Sequence, residues 1–191
     1  MNIGVWGDSI TFGACDKEAL GWAGRLRRSM PTDDYNHFYN FGICGETSAD
    51  VLKRFQVEFD AIEPEKVIFA LGINDSKFPH GSDAHLVSLD EYRKNMQELI
   101  DRAKETVNEI VLVGPTAVGE EYTTPRVSTF RDAEITKFRD ALKEIAEKNN
   151  LKFIDMFDVL DPTTDLDDGV HPNTEGYQKM FEAIKSELNW S

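Results

Sequence analysis

Five short apolar runs, each followed by a stripe of helical spacing, leave this chain few ways to fold. The runs are Ile3–Trp6, Phe38–Phe41, Val67–Leu71, Ile110–Val113 and Phe153–Phe157. Three are nearly continuous in apolar residues, as expected of parallel strands buried on both faces. The second and fifth carry polar interruptions, Asn40 and Asp155. Between them, Leu89, Tyr92, Met96, Leu99, Ile100, Ala103 and Val107 recur at spacings of three and four, and Ser88 with Glu91 predicts a capping box at the start of that helix. Val51, Leu52, Phe55 and Phe59 form a second stripe, with Thr47 as its N-cap; Ile135, Phe138, Leu142 and Ile145 form a third, stopped near Asn149-Asn150. Ala19–Met30 and Thr174–Leu188 supply the first and last helices. Strand and helix alternate five times, which predicts an α/β fold with a parallel sheet covered by helices on both faces. No linker or internal repeat divides the chain, so residues 1–191 are expected to form a single domain.

Composition narrows the partners. The chain is 40% hydrophobic and 29% charged, an ordinary globular balance, and its formal net charge is -14. Such an acidic surface repels phosphate backbones, so nucleic acid is not expected as a partner. Cys15 and Cys44 are too few for a disulfide framework, and with neither a CxxC pair nor a Cys/His cluster in the sequence no metal site is expected. Met1-Asn2-Ile3-Gly4-Val5 runs straight into the first predicted strand without a basic leader or cleavage site, which reads as cytoplasmic. No apolar run approaches the ~20 residues of a membrane span.

In an open α/β sheet, ligands bind outside the carboxyl ends of the strands. The residues that follow the strands are therefore the ones to weigh. They are Gly7-Asp8-Ser9, Gly42-Ile43-Cys44-Gly45, Gly72-Ile73-Asn74-Asp75 and, after the fifth strand, Asp168 and His171. A serine, an aspartate and a histidine in that chain order can supply nucleophile, orienter and base. Each also has a bland reading. Ser9 could cap a helical turn. His171 could start a helix with Asp168 merely solvated, and Asp165 and Asp167 rival Asp168 as its carboxylate partner. Asn74 and Gly45 could be turn residues, or an amide and a backbone N–H aimed at a developing oxyanion. Asp8 reads as a carboxylate at a helix N-terminus, and Cys44 as a packed thiol. His80 and His85 fall in a loop and read as solvated. Four such residues converging on one rim is a much rarer accident than any one of them.

These segments resemble the blocks of the SGNH, or GDSL-like, hydrolases. Gly7-Asp8-Ser9-Ile10-Thr11 resembles the first block, Asn40-Phe41-Gly42-Ile43-Cys44-Gly45-Glu46-Thr47 the second, Gly72-Ile73-Asn74-Asp75 the third and Asp168-Gly169-Val170-His171-Pro172 the last. All four occur in the family's order and span nearly the whole chain. The first block ends in Ile-Thr where Leu is usual. The resemblance implies a three-layer α/β/α sandwich whose five parallel strands run in the flavodoxin-like order 2-1-3-4-5. It implies Ser9 as nucleophile, His171 as base and Asp168 as its orienter. It also implies an oxyanion hole from the N–H groups of Ser9 and Gly45 and the amide of Asn74. The family comprises esterases, thioesterases, lysophospholipases and sugar deacetylases, and it needs no cofactor and no metal.

Rival readings fit less well. A phospho-receiver shares the strand order, but Asn74 stands where the third strand should offer its aspartate. The first turn holds only Gly7 and Gly13, short of a G-x-G-x-x-G dinucleotide cradle, and lacks the second glycine of a G-x-S-x-G elbow. A non-catalytic carbohydrate-binding relative would keep the fold but not a reactive Ser9. Two long loops, Asp75–Val87 and Gly114–Val127, should shape the pocket. Their Lys77, His80, His85, Thr116, Glu120, Glu121, Tyr122, Thr123 and Arg126 favour a small-molecule ester of a polar alcohol, such as an acetylated sugar, over a long-chain lipid.

Overall fold

A computed structural model describes residues 1–31, 35–123 and 128–188. Its strands are β1 (Asn2–Gly7), β2 (His37–Gly42), β3 (Lys66–Ala70), β4 (Phe78–Pro79), β5 (Glu109–Val113), β6 (Ser128–Thr129) and β7 (Lys152–Ile154). Its helices are α1 (Ser9–Phe12), α2 (Gly21–Ser29), α3 (Ser48–Ile62), α4 (Leu89–Lys104), α5 (Asp132–Asn149) and α6 (Thr174–Glu187). Five strands form a parallel sheet in the order β2-β1-β3-β5-β7, which is the expected 2-1-3-4-5 once the two-residue strands are set aside.

Side chains that alternate along β1 explain the three layers. Ile3 and Val5 join one core with Trp22 and Leu26 of α2 and Tyr177, Met180 and Ile184 of α6. Trp6 joins the other with Val51 and Phe55 of α3, Met96 and Leu99 of α4 and Leu142 of α5. Trp6 stacks on Phe41 at 4.9 Å between ring centroids, meets Phe55 edge-on at 4.8 Å, and its Nε1–H donates to Glu58 at 2.8 Å. The ring is wholly buried, with its polar edge satisfied.

Several local expectations need correction. The fifth run ends at Ile154, not Phe157, because Asp155 turns out of the sheet to pair with Arg139. The helix after Ser88 stops at Lys104, short of Val107, and the first long helix begins only at Gly21, since Ala19 has a φ of 54°. Ser88 Oγ accepts from the Glu91 N–H at 3.2 Å, while a reciprocal capping box forms at Thr47 and Asp50. The two long loops are joined: Phe78 pairs with Thr129 and Pro79 with Ser128 in an antiparallel ribbon. Arg126 lies outside the described residues. Among the described residues, no helix is long and apolar enough to cross a membrane.

Register brings the functional loops together. Gly7 faces Gly42 on one side and Ala70 on the other, so three strands end level. A Cβ on Gly42 would lie 2.4 Å from Phe12 N and 2.8 Å from Thr11 C, both backbone atoms of α1 or its end. Gly42→Ala is therefore expected to lower the thermal midpoint, at a cost of about 1–3 kcal/mol of overpacking, and to reduce activity because α1 carries Ser9. A variant with unchanged denaturation and turnover would contradict this packing.

Candidate active site

Ser9 sits where β1 gives way to α1. Asp8 is the N-cap of this short helix, its carboxylate accepting from the Ile10 N–H at 2.9 Å, and Gly13 closes it with a φ of 96°. This is the helix-start role expected for Asp8. As the first helical residue, Ser9 leaves its own N–H among the donors that the helix cannot satisfy. Asn40 of β2 clamps the far end: its Nδ2 donates to Thr11 O and its Oδ1 accepts from Gly42 N, both at 2.9 Å.

His171 arrives from the other end of the chain. The segment before α6 folds back on itself through a Leu166–Pro172 bridge and a bond from Asp167 N to His171 O. His171 Nε2 lies 2.8 Å from Ser9 Oγ, and Nδ1 lies 2.7 Å from Asp168 Oδ2. An ionised carboxylate only accepts, so Nδ1 carries the proton and Nε2 is left to accept from the serine hydroxyl. Asp168 Oδ1 also accepts from the N–H groups of His171 and Val170 at 2.8 and 3.0 Å. Burial opposes its charge, yet these donors and the His171 ring outweigh burial and hold the carboxyl below its ordinary range. The rival carboxylates are engaged elsewhere: Asp165 is buried against Lys179 Nζ at 2.7 Å, and the Asp167 carboxylate accepts from the Cys15 thiol.

Asn74 is 5% exposed. Its Oδ1 accepts from Lys77 Nζ at 2.9 Å. A lysine ammonium only donates, which fixes the amide's orientation and turns the NH₂ the other way. That Nδ2 is buried and, among the described residues, has no hydrogen-bond partner. Gly45 has a φ of 84°, and among the described residues nothing lies within 4 Å of where its Cβ would be. A side chain there would be strained and would occupy the approach to its N–H. Ser9, Gly45, Asn74, Lys77, Asp168 and His171 line one cleft of about 760 Å³, with Ile73, Tyr122, Phe130 and Val170 supplying apolar wall. The arrangement can take a proton from a hydroxyl and receive a developing negative oxygen beside it.

Comparison with known proteins gives the family. A model of the GDSL-like lipase/acylhydrolase family matches residues 5–179. The chain belongs to that family. It is a carboxylic ester hydrolase of the GDSL type. An acetylxylan esterase of Geobacillus stearothermophilus is 28% identical over 207 residues, covering 96% of this chain and 92% of the relative. A multidomain esterase of Ruminococcus flavefaciens is 30% identical over 166 residues, 84% of this chain but 17% of that much longer protein. The crystal structure of a catalytic mutant of the Geobacillus acetylxylan esterase superposes with a TM-score of 0.80 at 25% identity, covering all of this chain and 94% of that one. A lipase/acylhydrolase from Enterococcus faecalis shares the fold, with a TM-score of 0.80 at 24% identity over 97% and 94% of the two chains.

Within this GDSL-type hydrolase, sequence reading missed how the second and third blocks are tied. Asp75, directly after Asn74, accepts from Ser48 N at 3.0 Å and Ser48 Oγ at 2.5 Å, and Asn95 of α4 donates to that hydroxyl at 3.0 Å. The carboxylate thus caps α3, whose preceding loop carries Gly45. The only cue in the sequence is an acid beside the amide. Two other readings are overturned. Cys44 is exposed in the cleft, not packed, because it lies in the turn beyond β2 that Gly45 makes with its φ of 84°. His85 is not solvated: its Nε2 lies 2.9 Å from Glu134 Oε2 and its ring packs edge-on to Phe138.

Burial pushes the Asp75 carboxyl up to about 7 in spite of Ser48, and the Asp8 carboxyl up to about 6. A native carboxyl that holds its proton more tightly than the unfolded chain makes stability fall as pH rises, here from the ordinary value of 3.8 to about 7. Denaturant titrations of Asp75→Asn should therefore show a flatter decline between pH 4 and 7 than wild type, over a constant loss from the altered cap. An equal or steeper decline in the variant would show that Asp75 is not the source.

Proposed function

We propose that this enzyme is a serine esterase that removes small acyl groups, acetate first among them, from a polar alcohol such as an acetylated xylooligosaccharide. The observation that carries the proposal is the 2.8 Å approach of His171 Nε2 to Ser9 Oγ, made by residues 162 positions apart. In this reading Ser9 Oγ forms a bond to the ester carbonyl carbon as its proton passes to His171 Nε2. The imidazolium is held by Asp168. The carbonyl oxygen becomes an oxyanion met by the N–H groups of Ser9 and Gly45 and by Asn74 Nδ2. The carbon–oxygen bond to the alcohol then breaks, the alcohol takes the proton from His171, and an acyl-serine remains. Water, deprotonated by His171, attacks the acyl carbon; acetate leaves and Ser9 regains its proton.

Support for the substrate class comes from two sides. The relative that spans nearly the whole chain is named an acetylxylan esterase. The cleft pairs its apolar wall with Lys77, Ser128, Thr123 and the 61% exposed ring of Tyr122, a mixture suited to a sugar beside a short acyl group. A lysophospholipid chain would call for a longer apolar wall.

Steady-state hydrolysis of acetylated xylooligosaccharides and of nitrophenyl esters of increasing chain length tests both parts. Ser9→Ala should lose nearly all turnover, and Asn74→Ala should lose about 10²–10³-fold in kcat with the fold intact. Acetyl esters should be the best of the series. Full activity in Ser9→Ala would refute the mechanism, and a rate maximum at long acyl chains would refute the substrate.

A further inference from the structure

Cys15 has no part in the proposed chemistry, yet the fold sets it beside the residues that do. Taking one ligand atom from each side chain, Cys15 Sγ, an Asp168 oxygen and a His171 ring nitrogen all lie within 4.8 Å of one another. The sequence shows no Cys/His cluster; folding makes one from residues 156 positions apart. We propose that Cys15, Asp168 and His171 form an inhibitory site for a borderline-soft divalent cation, zinc being the best fit, which switches the esterase off reversibly.

The donor set is the first support. One thiolate, one imidazole and one carboxylate with an open fourth position is a set that zinc accepts. Bond lengths of about 2.0–2.3 Å in a tetrahedron put ligand atoms roughly 3.3–3.6 Å apart, so the thiol must close in by up to about an ångström while the 2.7 Å contact of His171 Nδ1 with Asp168 Oδ2 opens to admit the cation. Cys15 is exposed, and a side-chain rotation can supply much of that movement. Its backbone is held on both sides. Ala14 O accepts from Tyr177 O–H at 2.8 Å, and buried Asp16 is paired with Arg25 and bonded by Thr174 Oγ1 at 3.0 Å. The thiol is therefore presented from a fixed position.

Charge is the second support. Asp167 and Asp168 flank the thiol, and the Asp167 carboxylate accepts its hydrogen bond. Two carboxylates beside the sulfur attract a dication, which replaces the thiol proton when it binds. Zinc binding releases that proton and inserts the metal into the dyad. At Nε2 the cation takes the lone pair that would accept the Ser9 proton; at Nδ1 it takes the place of the proton given to Asp168. Either nitrogen stops general-base catalysis.

The loss of activity rests on the proposed role of His171, whereas metal binding does not, so two readouts separate them. Zinc should inhibit acetyl-ester hydrolysis by wild type at micromolar concentration, with EDTA restoring the rate. Cys15→Ser should keep the metal-free rate and thermal midpoint, while its inhibition midpoint rises by about 10-fold or more, since even groups that only orient a ligand are worth that much. Cobalt(II) should give a thiolate charge-transfer band in the near ultraviolet with wild type and with Cys44→Ser, but not with Cys15→Ser. An unchanged zinc midpoint in Cys15→Ser, no cobalt band with wild type, or a band lost with Cys44→Ser instead would overturn the proposal. A cobalt band that persists alongside full activity in Ser9→Ala would leave the metal site standing and sink the serine mechanism.

Discussion

The close parallel contact of β1 with β2 and β3, where Gly7 meets Gly42 and Ala70, is the constraint on which the rest depends. A side chain at Gly42 would collide with the α1 backbone, and a Cβ at Gly7 would lie 2.1 Å from Thr11 Oγ1. With both positions bare, α1 can settle directly over the sheet's carboxyl edge. Ser9 then emerges level with the ends of β2 and β3, whose loops carry Gly45 and Asn74. Aromatic packing around Trp6 and the clamp from Asn40 hold that arrangement from below and from the side.

Polar groups at the rim are precise because buried hydrogen bonds leave them few alternatives. Lys77 takes the oxygen of Asn74 and so decides which way its amide faces. Asp75 takes the first donors of α3 and so joins the Gly45 loop to the Asn74 loop. Asp168 receives two backbone donors before it receives the ring of His171. The proposed chemistry needs a proton acceptor beside a hydroxyl and donors beside the carbonyl. Each group is set by a neighbour whose own chemistry allows one orientation.

How much of this could be read in the sequence follows from the range of the interactions. The apolar runs at Ile3–Trp6, Val67–Leu71 and Ile110–Val113 marked central strands because burial on both faces leaves no room for polar alternation. The runs with polar residues were less informative: Asn40 stayed within a strand as a clamp, whereas Asp155 left the sheet for Arg139. Two-residue strands such as β4 and β6 have no periodicity to detect. Ser9, Gly45, Asn74, Asp168 and His171 stood out because each follows a strand or sits in a family block. Partners such as Ser48 and Asn95, and the nearness of Cys15 to His171, arise only when distant segments pack. His85 and Cys44 were misplaced for the same reason: a loop histidine found Glu134 and Phe138, and a loop thiol found none of the cover expected for it.

The central claim is that Ser9 is the residue made reactive by His171. Fluorophosphonate labelling of the intact chain, followed by peptide mapping by mass spectrometry, tests it most directly. The account predicts one modified residue, Ser9, with labelling lost in His171→Ala while the fold is retained. A label on another residue, or equal labelling of Ser9 without the imidazole, would contradict it.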